Sequence, residues 1–274
     1  MGSSMEPVVD APFGPAVPEV DLPRAPLLYV LAQARFERVA SVSNETFIAT
    51  FQEAIRDVYP VMRREQQATL LLGPDGRVVP EESSGVVWRF EQEPEQLQLS
   101  LAPDAITLAT NGYTRRRDFI AALRNALNAV EAHLHVRYCQ RLGVRYINRV
   151  TGDELIARLP ELLRPEVLGS THVRPGDPGV ELVHMLSDAV YRLSDAADFH
   201  ARWGIVPPKL TFDPTIAPSD VRSWILDLDH YTTRQEAFDP GVLSSEAEVM
   251  CERIYRFFRW AVTDNFLAEH GGKQ

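Results

Sequence analysis

The sequence predicts an α+β protein whose first half is a ferredoxin-like βαββαβ arrangement. Two patterns support this class. Apolar residues alternate with polar ones along several short segments, which is typical of strands with one wet face. Between these segments apolar residues recur every three or four positions, as in amphipathic helices. In the first half the order is strand, helix, two hairpin strands, helix and strand, the order of the split βαβ motif.

The elements of the first half, residues 27–150, follow from local signals. Residues 27–36 alternate as a strand, and Asn44 is a good N-cap for the helix that follows. Several Gly, Pro and Asp residues predict a turn-rich loop over Gly73–Gly85. The remaining predicted elements are two hairpin strands within 88–108, a helix over 119–130 and a long strand over 137–150.

The second half, residues 151–274, is predicted to form a second antiparallel sheet and a long C-terminal helix against which the first half packs. Strands are expected from Val180 to Val206 and over 223–232. Ser245 and Glu248 have the spacing of a capping box and predict the start of the terminal helix.

Residues 1–26 precede both halves and contain six prolines, so we expect a disordered or extended arm. Such a segment buries little apolar area, and we expect residues 1 to about 24 to be dispensable for folding.

Composition restricts the classes of function. The chain has 28 Lys+Arg against 38 Asp+Glu, a formal net charge of -10, which opposes attraction to nucleic acid. Charged residues interrupt every apolar run before the ~18 residues of a membrane span, and the N-terminus lacks the pattern of a secretory signal. We therefore expect a cytoplasmic protein with no membrane association, in which Cys139 and Cys251 are reduced.

No phosphate-binding, zinc-protease or nucleophile-elbow motif occurs in the sequence, and we predict no cofactor. His133, His135 and Cys139 are of residue types that bind zinc. They straddle the predicted end of a helix, however, where the side chains of His133 and His135, two positions apart, point in different directions. We predict no metal.

Two charged strand faces hold the binding candidates. Arginines recur on one face of the strand over 137–150, and two aspartates share a face of the strand over 223–232. Guanidinium groups bind carboxylates and phosphates alike. These arginines are therefore interpreted either as partners in internal ion pairs or as part of a functional site that binds an anion. We predict that Arg145 and Arg149 meet Asp227 or Asp229. The candidates are Arg35, Arg141, Arg145, Arg149, Asp227 and Asp229.

Two runs of residues resemble a known family. They are Ala32-Gln33-Ala34-Arg35-Phe36 and Arg141-Leu142-Gly143-Val144-Arg145-Tyr146-Ile147-Asn148-Arg149. In them the chain resembles a sporadically distributed bacterial family of uncharacterised proteins with an AQxRF...RLGxRYxNR signature. The resemblance implies an accessory setting such as defence, toxin-antitoxin or a biosynthetic cluster, and it supplies no catalytic residue.

The sequence thus favours a non-enzymatic binding or regulatory protein of such a system, acting through contact with another protein. A homodimer is left open, and nucleic acid is not expected as a partner. The alternatives are an enzyme or a small-ligand or anion-binding protein with a pocket between the two halves, and a maturation partner in a biosynthetic cluster.

Overall fold

A computed structural model describes residues 11–72, 78–92, 96–173, 176–177, 179–213 and 216–272. It has mixed α and β structure, with a large antiparallel sheet and several helices. The chain divides into two compact units. The central unit comprises Tyr29–Val144 and Tyr231–Glu248, and the terminal unit comprises Met1–Leu28, Arg145–His230 and Val249–Gln274.

The central unit is built on five strands in the order β2-β3-β4-β5-β1, each antiparallel to its neighbour. A sixth strand, β6, follows β1 in this order, and a two-residue strand, β10, pairs antiparallel with β6. The strands are β1 (Leu27–Phe36), β2 (Val61–Leu72), β3 (Val78–Glu91), β4 (Leu97–Ala102), β5 (Ala105–Thr110), β6 (Tyr138–Thr151) and β10 (Glu236–Ala237).

Two helices of the central unit, α1 (Glu45–Ile55) and α2 (Arg116–Leu134), bury apolar faces. Asn44 caps α1 as predicted, because its side chain accepts a hydrogen bond from the Thr46 amide at 2.9 Å. Phe51 of α1 lies 5.5 Å from Phe90 of β3 between ring centroids, which fixes the helix on the sheet.

The predicted loop over Gly73–Gly85 is wrong from Val78 onward, since Val78–Glu91 forms β3. Residues 73–77 lie outside the described residues. The hairpin β2-β3 has no counterpart in the sequence-based expectation. Its ladder pairs charged residues across strands, as Arg63 does with Glu91 at 3.0 Å and Arg89 with Glu65 at 2.8 Å. On the other face of β3, Val86, Trp88 and Phe90 are buried and alternate as the sequence predicts for a strand.

Four strands follow one another in the order β6-β9-β8-β7, and the elements β6, β9 and α6 each contain residues of both units. The first of the strands expected over Val180–Val206 begins at Met185, five residues later than predicted, and the terminal helix begins at Pro240 instead of Ser245. The Asp239 carboxylate accepts a hydrogen bond from the Val242 amide at 2.9 Å, so Asp239 does the capping expected of Ser245. The elements are β7 (Met185–Leu193), β8 (Ala197–Val206), β9 (Ser223–Thr232), α3 (Asp153–Ala157), α4 (Leu159–Leu162), α5 (Pro165–Leu168), α6 (Pro240–Ala261) and α7 (Asp264–Glu269).

The N-terminal arm is anchored to the terminal unit by an aromatic side chain. The Phe13 ring lies 4.8 Å from Phe199 and 5.7 Å from Phe257 between centroids. Further along, Tyr255 of α6 accepts a hydrogen bond from the Val20 amide at 2.8 Å. The expectation that the arm buries little apolar area is therefore wrong at Phe13. The division into halves at residue 150 stays a prediction.

Candidate functional site

Arg145 and Asp227 form the ion pair that the sequence predicts. Both lie in the terminal unit, on β6 and β9. Arg145 Nε is 2.7 Å from Asp227 Oδ1, and Arg145 Nη2 is 2.7 Å from Asp227 Oδ2, a bidentate arrangement. Arg145 Nη2 is also 2.6 Å from Asp213 Oδ2. One guanidinium thus bridges two carboxylates.

The Arg145 cluster, defined as Arg145, Asp213 and Asp227, is buried. The exposed fractions of the three side chains are 17%, 15% and 6%. Burial by itself would lower the pKa of Arg145, but the hydrogen bonds and charges of the two carboxylates outweigh it and raise the pKa. With one cation between two anions, the cluster has no net positive charge to attract an anionic ligand. Its geometry is that of a buried ion pair with a structural role, which links β6, β9 and the segment that holds Asp213.

The segment over 207–222, of which 214–215 lie outside the described residues, is held on the sheet by arginines. Besides the Asp213 contact, Arg149 Nη2 of β6 donates to the Ala217 carbonyl at 2.9 Å. Arg202 of β8 lies over the Phe212 ring with its Cζ 5.8 Å from the centroid. The prediction that Arg149 meets an aspartate is therefore wrong, since its guanidinium binds a backbone carbonyl. Burial lowers the pKa of Arg149.

The other predicted candidates lie elsewhere. Asp229 shares the strand face of Asp227 and is half-buried. In the central unit Arg141 stacks on Tyr231, with its Cζ 4.2 Å from the ring centroid. Gly143 permits this stacking, because a Cβ there would lie 2.9 Å from Arg141 Nη1 and 3.2 Å from Tyr231 Cβ. Arg35 makes a surface pair with Asp104 at 3.4 Å. The structure thus brings together Arg145 and Asp227, and it places Arg35 and Arg141 in the other unit.

A cleft of about 740 Å³ opens in the terminal unit, and the residues of the Arg145 cluster are not among those that line it. Its apolar walls come from α3, α4, the end of β8 and the segment over 207–222, and include Ile156, Leu159, Ile205 and Val221. Val221 is 49% exposed. The cleft is open to solvent, and polar and apolar atoms line it in similar proportion.

Three carboxylates and one guanidinium line this cleft, which gives a formal charge of -2. Arg222 Nη1 pairs with Glu181 at 3.2 Å, and its Nη2 donates to the Leu182 carbonyl at 2.7 Å, which ties the segment before β7 to the start of β9. Asp153 and Asp220 are exposed and have no ion-pair partner among the described residues. Among the described residues, Asp153 and Asp220 therefore give the cleft two negative charges without an ion-pair partner.

A second perturbed group lies in the central unit. Arg234 contacts the carboxylates of Glu246 and, at 3.8 Å, Glu236. The pKa of Glu236 is raised to about 7, first by burial and second by the adjacent Glu246, against the opposite effect of Arg234. Burial and the charge of Glu236 raise the pKa of the Cys139 thiol, opposite Glu236 in the β10-β6 ladder, to about 12. Burial and the raised pKa both disfavour the thiolate form of Cys139.

Sequence reasoning missed Asp213, the cleft and the Glu236–Glu246 pair. Asp213, Asp220 and Val221 lie in an irregular segment, where no period assigns a side chain to a face. Glu236 and Glu246 come from a two-residue strand and the first turns of α6, and their spacing resembles no recognised motif.

Three further features concern the part of the chain that the structure describes. It contains no group of three or more His, Cys, Asp or Glu side chains arranged to hold a metal ion. Its helices include none with the length and apolar character needed to cross a membrane. Cys139 and Cys251 are both free and buried.

Comparison with models of known protein families finds no match, and comparison with curated proteins finds none either.

Proposed function

We propose that this chain is a non-enzymatic binding protein that acts through protein–protein contact, and that its cleft receives a basic, partly apolar segment of the partner. The observation that carries the proposal is the cleft of the terminal unit, where Ile156 and Val221 give apolar surface beside Asp153 and Asp220, which have no ion-pair partner among the described residues.

Charge and apolar surface together select the ligand class. The cleft has a formal charge of -2 and the chain one of -10, so both the local and the long-range field attract cations and repel anions. The apolar walls add affinity for side chains such as Leu or Ile, because exposed apolar area is removed from water on binding. A segment that alternates apolar side chains with Lys or Arg satisfies both conditions.

Anion capture by the arginine-rich face of β6 is less well supported. Arg145 already binds two carboxylates and Arg149 binds a carbonyl, so both guanidinium groups are engaged within the chain. We therefore favour the cleft over the arginines as the binding surface.

The proposal is tested with two fluorescein-labelled peptides of about twelve residues, one alternating Leu with Lys and the other Leu with Glu. Fluorescence anisotropy should show binding of the Leu-Lys peptide, weaker at high salt, and none of the Leu-Glu peptide. Neutralising both aspartates (Asp153→Asn with Asp220→Asn) should weaken binding about two- to thirtyfold, since each exposed ion pair contributes ~0.2–1 kcal/mol.

A matched control neutralises two exposed carboxylates of the central unit, Glu45→Gln with Asp57→Asn, and should leave the affinity unchanged. Equal losses in the two double variants would mean that the peptide responds only to net charge, and the cleft would then be rejected as the site.

For the biological setting we propose a bacterial accessory system of the toxin-antitoxin, defence or immunity type, with a cytoplasmic location. This rests on the resemblance of Arg141–Arg149 to the sporadically distributed family. The genes beside this one discriminate the settings: a small toxin-like or nuclease-like neighbour supports the proposal, whereas a biosynthetic cluster supports a maturation partner.

For the first half we propose a ferredoxin-like βαββαβ core made of β1, α1, β4, β5, α2 and β6, with the hairpin β2-β3 inserted after α1. The strand order β4-β5-β1-β6 supports it. An experimental structure in which β1 lies elsewhere than between β5 and β6 would refute this core.

A further inference from the structure

We propose that the surface under the N-terminal arm is a peptide-binding groove, for which the arm competes with an extended, proline-rich segment of a partner that carries an aromatic anchor. Residues 11–26 of the arm include five prolines, and all of them are exposed or half-buried. The arm therefore lies on the terminal unit as a bound peptide would. The side chains that hold it, named here the arm groove, are Tyr191, Phe199, Tyr255, Arg256, Phe257 and Arg259.

One part of the arm groove is an aromatic pocket. The Phe13 ring packs edge-on against Tyr191 and Phe199, with centroids 5.3 and 4.8 Å apart. Phe257 lies 5.7 Å from the same ring, and both Phe199 and Phe257 are fully buried with the arm in place. An aromatic ring in such a pocket is the kind of anchor that dominates the affinity of a contact. The pocket therefore selects a segment with an aromatic side chain.

The other part of the arm groove binds the backbone of the arm. The Tyr255 hydroxyl donates to the Pro18 carbonyl at 3.1 Å and accepts from the Val20 amide at 2.8 Å. Two arginines of α6 donate to carbonyls of the arm, Arg256 to Gly14 at 3.2 Å and Arg259 to Pro18 at 3.3 Å. Backbone contacts do not depend on side-chain identity, and an extended proline-rich segment offers its carbonyls without internal hydrogen bonds. A segment of this kind from another protein satisfies the same donors.

Backbone strain at the anchor makes the arm a displaceable occupant. Phe13 has a φ of 60°, in the left-handed region that a bulky residue rarely adopts. Docking of the arm must offset this strain, and release of the arm removes it. A partner segment that places its ring in the pocket from an unstrained backbone binds without this cost. The residues that line the cleft and those of the arm groove do not overlap, so the groove is a second site.

A fluorescein-labelled peptide of residues 11–24 tests the proposal on the full chain by fluorescence anisotropy. In Phe13→Ala the arm lacks its anchor and leaves the groove free more often. This chain should therefore bind the peptide at least about tenfold more tightly than wild type does. The same peptide with Phe13→Ala should bind neither chain. A peptide with alanine in place of its four prolines should bind about tenfold more weakly, because its free form is less restricted.

A substitution in the groove locates the binding. Tyr255→Phe, made together with Phe13→Ala, removes both hydrogen bonds of the hydroxyl to the backbone of the peptide. It should weaken binding about fivefold or more. Arg253→Gln in the same background is the matched control, because Arg253 lies on α6 but pairs with Asp195 at 2.6 Å. This control should leave the affinity unchanged.

Hydrogen exchange of the wild-type chain gives a test that does not depend on the folding of a variant. The Val20 amide, held by the Tyr255 hydroxyl, should exchange through local opening at a rate that low guanidinium leaves unchanged, well before the amides of β8. Exchange of Val20 together with β8 would overturn the proposal, because the arm would then leave the groove only when the chain unfolds. Equal affinities of wild type and Phe13→Ala for the peptide would also overturn it, as would equal binding of the peptide without prolines.

Discussion

Replacing Arg145 by Met should destabilise the protein strongly, because it leaves two carboxylates buried without their cation. Asp227 and Asp213 have only 6% and 15% of their side chains exposed, and Arg145 has 17%. Removing one partner from a buried pair typically costs ~3–5 kcal/mol. For a chain of this size 1 kcal/mol corresponds to ~2–4 °C in Tm, so Arg145→Met should lower Tm by roughly 6–20 °C.

The assay is guanidinium unfolding followed by circular dichroism, with a double-mutant cycle on Arg145→Met and Asp227→Leu. We expect a coupling of ~1–3 kcal/mol, since the second substitution removes one of the stranded carboxylates. The control is Arg35→Met, whose partner Asp104 is 44% exposed, and it should cost less than ~1 kcal/mol. Equal losses for Arg145→Met and Arg35→Met, or additive effects in the cycle, would refute the structural role of the Arg145 cluster.

Three further predictions concern titration and the arm. Burial and, second, the charge of Arg253 lower the pKa of His230 to about 4. His230 therefore becomes protonated near pH 6.5 in the unfolded chain but only near pH 4 in the folded chain. As the pH falls from 6.5 to about 4, the free energy of unfolding should decrease by roughly 3 kcal/mol. His230→Phe should flatten this part of the pH–stability curve, and an unchanged curve would contradict the assignment. Glu236 has the opposite pH dependence, because its pKa is raised from 4.5 to about 7 in the folded chain. Its neutral form stabilises the fold fully below pH 4.5, and this contribution is lost as the pH rises through about 7. Glu236→Gln should raise Tm at pH 8 and leave it nearly unchanged at pH 4; equal effects at both pH values would exclude the titration. Phe13→Ala should cost about 1–3 kcal/mol by emptying the contact with Phe199 and Phe257, whereas a melting curve identical to wild type would restore the view of a dispensable arm.

Features that follow the regular period of a strand or a helix could be predicted from the sequence. Strand alternation placed Arg145 and Asp227 on the non-core faces of β6 and β9, and burial then requires that such charges pair. Asp213 could not be found in this way, because it lies in an irregular segment and reaches Arg145 only through the folded path of residues 207–222.

The missed hairpin and the arm have different physical causes. The polar run Arg63 to Gln67 in β2 shows no apolar alternation, and its charges pair with β3 through Arg63–Glu91 and Glu65–Arg89. Phe13 stands alone among prolines and gives no periodic signal. Its place is fixed by an aromatic contact from elements nearly 200 residues further along, Tyr191 and Phe199.

The central claim is that the partner binds in the cleft of the terminal unit, and site-specific photocrosslinking tests it most directly. A benzophenone side chain is placed at Val221, on the cleft wall, or at Val242 of the central unit, which is similarly exposed at 53%. After irradiation in the native host, mass spectrometry identifies the cross-linked peptide. The account predicts an adduct from Val221 alone, on a peptide rich in Lys or Arg with apolar residues between them, and its loss when Asp153 and Asp220 are neutralised. Equal adducts from Val221 and Val242, or an acidic peptide cross-linked at Val221, would contradict it.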